Sequence, residues 1–141
     1  MTTSRVLTAL ACLTAAAGCG GGGISAPRTA PVSGTVTVKG KPAAGVKVTF
    51  HPQFDMGAVK FVPSGQTDNH GRFTLSTAAP GDGAPPGDYV VTFELLRGGA
   101  DNAGRDIEVD AWKGKYADPA KGGKKVTVKS GDNALEPFTL D

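Results

Sequence analysis

Apolar and polar positions alternate with a period of two along most of the chain, the pattern of strands with one wet face. Between Val32 and Lys39, Gly34, Val36 and Val38 share one face while Thr35 and Thr37 share the other. Val46, Val48 and Phe50 repeat the inward set with Lys47, Thr49 and His51 outward, and Pro52 ends the run. A looser strand is expected over Val59 to Val62, followed by one in which Phe73 and Leu75 point in and Arg72, Thr74 and Ser76 point out. Tyr89, Val91, Phe93 and Leu95 form the longest strand, and Val90 and Leu96 on its other face make it central. Ile107 and Val109 alternate with Asp106, Glu108 and Asp110, an acidic edge that discourages stray pairing. Val126 and Val128 alternate with Lys125, Thr127 and Lys129, and Phe138 and Leu140 close the chain after Pro137. Breaks are expected at Lys39-Gly40-Lys41-Pro42, at Pro80 to Gly87 and at Arg97 to Gly104. No window has helical periodicity, so the chain reads as all-β: seven or eight short strands in an antiparallel two-sheet sandwich.

Composition sharpens this. From Val32 to Asp141 valine and threonine predominate over leucine and glutamate, which suits pleated surfaces. The 21 Gly and 10 Pro have no Gly-X-Y period, and the apolar share of 39% is normal, so a turn-rich globular fold is expected rather than collagen or disorder. A net charge of +2 with no basic run beyond Lys124 and Lys125 excludes a nucleic-acid binder that works by phosphate neutralisation.

The start of the chain carries an address. Met1 to Arg5 is short and cationic, Val6 to Ala17 is an uncharged stretch too short to span a bilayer, and Ala16-Ala17-Gly18-Cys19 follows. The last four residues resemble a bacterial lipobox, with Ala16 where leucine is commoner. That resemblance implies a signal peptide over residues 1–18 and acylation, such as palmitoylation, of Cys19 as the new N-terminus. Ordinary secretory cleavage near Ala17 is the competing reading. Cysteine use favours the lipid, because Cys12 would be removed and Cys19 would have no disulfide partner in an oxidising compartment. Gly20, in place of Asp, is compatible with export beyond the inner membrane. Residues 19–31, rich in Gly, Ser, Ala and Pro, read as a flexible tether, and the domain proper is expected over 32–141.

Candidate chemistry is sparse. Asp68, Asn69 and His70 carry ligand atoms, but with His51 the only other histidine and no His-x3-His spacing they read as a turn, with no metal and no cofactor expected. In that turn Asp68 accepts backbone N–H groups and Gly71 takes a positive φ. No nucleophile elbow accompanies His51 or His70, so no catalytic residue is assigned. Tyr89 after Gly87-Asp88 is placed to bury its ring and send its hydroxyl to a loop carbonyl. Trp112 and Tyr116, flanked by Lys113 and Lys115, can either pin a crossover to the sandwich or stack on a sugar ring. A Lys39–Asn133 crosslink with Glu94 as the acid is disfavoured by the turn that holds Asn133.

Three phrases carry a wider resemblance: Val32-Ser33-Gly34-Thr35-Val36 with Gly40 to Val48, Thr67-Asp68-Asn69-His70-Gly71-Arg72-Phe73, and Pro86-Gly87-Asp88-Tyr89-Val90-Val91. They resemble a carboxypeptidase regulatory-like domain, the transthyretin-like (prealbumin-like) sandwich, with immunoglobulin-like architecture, found in bacterial exported and lipid-anchored proteins. Lys115 to Pro119 and Val126 to Asn133 resemble the tail of small lipoproteins of that group. The resemblance implies a non-enzymatic, lipid-anchored module on the periplasmic or outer face of the cell envelope. Its partners would be the membrane, through the lipid, and an envelope protein or glycan. The alternative is a carbohydrate- or small-ligand-binding module that uses Trp112 and Tyr116.

Overall fold

The structure is a computed structural model and describes residues 26–58 and 60–141. The signal peptide, Cys19, most of the tether and Val59 therefore lie outside the described residues. Among the described residues there are eleven strand segments and no helix.

The first sheet is built around β1 (Val32–Val38). β2 (Lys41–Pro42) and β5 (Arg72–Thr74) run antiparallel along one side of it, with Gly34 opposite Phe73 and Thr37 opposite Pro42. β10 (Asn133–Ala134) and β11 (Phe138–Leu140) run parallel to β1 along the other side, with Val36 opposite Phe138. The second sheet has the order β4 (Ser64–Gln66), β3 (Lys47–Pro52), β6 (Gly87–Glu94), β9 (Lys124–Val128), all antiparallel. Beyond the end of β6, β7 (Leu96–Ala100) and β8 (Asp106–Asp110) form a separate hairpin.

The two sheets bury their apolar faces against each other. Val32, Val36, Phe73, Phe138 and Leu140 line one side, and Val46, Val48, Phe50, Tyr89, Val91 and Phe93 line the other. Aromatic rings cross the interface in a chain. Phe73 stacks on Phe138 at 6.2 Å, Phe138 meets Phe93 at 5.1 Å, and Phe50 meets both Phe73 at 6.5 Å and Tyr89 at 5.6 Å. Because each inward residue sits two positions from the next, one face of β3 and one of β6 enter the core complete. Ahead of β1, Ala30 is buried and exchanges hydrogen bonds with Ala84 at 2.8 and 3.0 Å.

Three sequence expectations need correction. The strand expected over Val59 to Val62 is found instead at Ser64–Gln66, where Thr49 and Lys47 of β3 supply the pairing; Val62 is half-exposed. The longest strand ends at Glu94 instead of running on through Leu95 and Leu96, and Leu96–Ala100, which reaches into the break expected from Arg97, is a separate strand because β8 pairs with it residue for residue despite two glycines. The pairings of β1 with β10 and β11 are parallel, since the chain crosses from the second sheet back to the first after Val128 and re-enters in the direction of β1.

Candidate functional site

Asp68 organises the turn between β4 and β5. Its Oδ1 accepts the N–H of His70 at 2.8 Å and of Arg72 at 2.9 Å, while the N–H of Gly71 donates to its carbonyl at 3.0 Å. The N–H groups of Arg72 and His70 stabilise the carboxylate and hold it below its ordinary value of 3.8. Gly71 has φ +73° and is buried, and Asn69 and His70 are exposed. Within the core, Tyr89 donates its hydroxyl to the Pro85 carbonyl at 2.7 Å, and burial pushes the phenol up to about 12. Tyr89→Phe orphans that buried carbonyl and is expected to cost about 1–2 kcal/mol in urea unfolding.

His51 lies on the outer face of β3 as expected but is half-buried, its Nε2 2.8 Å from Thr92 Oγ1 across the sheet. His70 is on a different loop. Among the described residues no group of three or more His, Cys, Asp and Glu side chains is arranged to hold a metal ion. Lys39 is exposed in the β1–β2 turn, Asn133 donates to the carbonyls of Lys129 and Gly131 at 2.8 Å, and Glu94 pairs with Lys47 at 3.8 Å, so these three groups are engaged apart.

The structure does bring Trp112 and Tyr116 together, and Asp110 is the residue that does it. Its carboxylate accepts the N–H groups of Leu95 at 2.9 Å, Trp112 at 3.2 Å and Gly114 at 2.7 Å. Alternation alone makes Asp110 an outward edge charge. The available signal was local: Asp55, Asp68, Asp101, Asp110 and Asp118 each accept the N–H two residues on, the mark of an Asx turn. Tyr116 is buried, donates its hydroxyl to the Asp141 carbonyl at 2.6 Å and accepts the Asp141 N–H at 3.0 Å. The half-buried Trp112 meets it edge-on at 5.3 Å and 89°, and Lys115 Nζ lies 4.8 Å from the Tyr116 ring centre. Rings at right angles with one buried do not form a flat two-ring platform, so only Trp112 keeps aromatic surface for a ligand.

Partial burial opposes the charge on Asp110, yet the N–H groups of Leu95, Gly114 and Trp112 outweigh it and hold the carboxyl below 3.8. Backbone and Arg105 donors lower Asp101, and backbone donors overcome the desolvation of Asp82. Depressed carboxyls contribute stability that is present above their unfolded value and is lost as pH falls through the folded one. Melting temperature should therefore be flat from about pH 7 to 5 and fall progressively below that, with a smaller fall in Asp110→Asn.

Two further surface features stand out. A concavity of about 570 Å³ follows the β1–β5 edge and is lined by Thr35, Gln66, Asp68 and Arg72. The β7–β8 hairpin carries Ile107 and Val109 at 39% and 45% exposure. Every buried side-chain polar atom among the described residues has a hydrogen-bond partner.

No family model and no curated protein matches the chain. Among solved structures, it is similar over 83% of its length to a 9R-lipoxygenase from Cyanothece PCC8801, at 16% identity and a TM-score of 0.45. It is similar over 80% of its length to a Pseudomonas aeruginosa protein described as a "putative carbohydrate binding protein", at 19% identity and a TM-score of 0.44. The chain spans 17% of the lipoxygenase and 89% of the Pseudomonas protein.

Proposed function

We propose that the chain is a non-enzymatic interaction module of a bacterial cell envelope, a carboxypeptidase regulatory-like sandwich moored by lipid on Cys19. The observation that carries the reading is the division of the surface. The sandwich satisfies its own buried polar groups, its turn carboxylates are consumed by backbone N–H groups, and two of its three exposed large apolar side chains, Ile107 and Val109, sit side by side on the β7–β8 hairpin. Contact, not bond-making, is what such a surface supports. The lipobox-like Ala16 to Cys19 and the Gly-rich tether supply the mooring. Growth with a palmitate label should mark the native chain and leave Cys19→Ser unlabelled in the soluble fraction; an unmodified Cys19 thiol in the native chain defeats the anchor.

A second reading, a glycan-binding module, rests on the surface that Trp112 retains beside Lys113 and Lys115. It predicts retention on immobilised polysaccharide that Trp112→Ala abolishes while the circular-dichroism spectrum is unchanged.

A further inference from the structure

We infer that the chain pairs with a second copy of itself, the acidic edge of β8 joining the basic edge of the partner's β9 so that each hairpin extends the other copy's four-stranded sheet across a two-fold axis. This rests on the interaction-module reading and names the partner. β8 pairs with β7 alone and β9 with β6 alone, so each has one side free of strands among the described residues. Such a row of open N–H and C=O groups is a template for strand addition.

Both free edges lie along the same flank of the molecule. Phe93 donates to the Tyr116 carbonyl at 3.0 Å, Leu95 to the Asp110 carboxylate at 2.9 Å, and Ala111 to the Leu95 carbonyl at 2.8 Å. The chain therefore descends from β8 to β9 beside β6. The flank is acidic at one end, through Asp106 and Glu108, and basic at the other, through Lys124 and Lys125. All four are exposed, and none has an ion pair among the described residues. A two-fold axis normal to the sheet sets two copies antiparallel, which lays each β8 against the other copy's β9.

The pleat agrees with the charge. On β8 the acids share one face and Ile107 and Val109 share the other; on β9 Lys125 and Thr127 face out while Lys124, Val126 and Val128 share the opposite face. Setting the acids beside Lys125 puts the exposed Ile107 and Val109 next to the half-buried Val126 and the stem of Lys124. Pairing β8 with β8, or β9 with β9, would instead oppose like charges. The turns of residues 111–123 separate the two ladders, so contact is confined to the five residues of each strand.

Sedimentation velocity on the full chain carrying Cys19→Ser tests this without lipid-driven clustering. The expected result is a dimer that weakens with added salt. Glu108→Lys and Lys125→Glu each turn both symmetry-related contacts repulsive and should weaken association at least about tenfold. The double variant, and an equimolar mixture of the two single variants, should regain it. A monomeric parent, single variants that associate like the parent, or a folded double variant that stays monomeric overturns the proposal. A monomer that captures a different envelope protein overturns self-pairing and leaves the interaction-module reading standing.

Discussion

Alanine in place of Phe50 is expected to lower the unfolding free energy by about 3–5 kcal/mol. Phe50 is fully buried and is the ring through which β3 reaches both sheets, 6.5 Å from Phe73 and 5.6 Å from Tyr89. Truncation removes its transfer energy and leaves a void that paired strands on either side cannot close. Urea unfolding followed by far-UV circular dichroism measures the loss. A loss below about 1 kcal/mol would mean that the core does not run through this ring.

The second large effect is expected at Gly83→Ala, with Gly81→Ala as its control. Both glycines have positive φ, +87° and +71°. Alanine at either position costs about 1–2 kcal/mol in backbone conformation alone. At Gly81 nothing lies within 4 Å of the added methyl group, whereas at Gly83 the methyl would overlap the Ala30 carbonyl oxygen. That oxygen accepts the Ala84 N–H at 3.0 Å, and the Ala30 N–H returns to Ala84 at 2.8 Å, so moving it opens the bridge that seats the start of the domain. Gly83→Ala should therefore lose roughly 3–4 kcal/mol in all. Equal melting temperatures for the two variants would show that the Ala30–Ala84 bridge contributes no stability.

Much of the core was legible because burial on a strand is a local, period-two property. Val46, Val48 and Phe50, then Phe73 and Leu75, then Tyr89, Val91 and Phe93 are buried on the faces that alternation assigns. The aromatic loop was less legible. Trp112 and Tyr116 are one helical turn apart in sequence, but their right-angle contact depends on Asp110 gathering three N–H groups and on Asp141 arriving from the far end of the chain. Asp110 also illustrates how one residue can satisfy two patterns, an alternating strand and an Asx turn, with only the turn using its carboxylate.

Taken alone, the sequence determined that the chain is all-β, which side of each major strand is wet, and where its turns bend, since side-chain alternation and turn chemistry act over a few residues. Tertiary structure decided which strands meet. Leu96–Ala100 is a strand because Asp106–Asp110 lies against it, Ser64–Gln66 because β3 does, and β11 runs parallel to β1 because a crossover from the other sheet delivers it that way. Pairing joins residues as much as 102 positions apart, as between Thr37 and Thr139. The energy of such a contact depends on what the rest of the chain has already brought near, and no local window contains it.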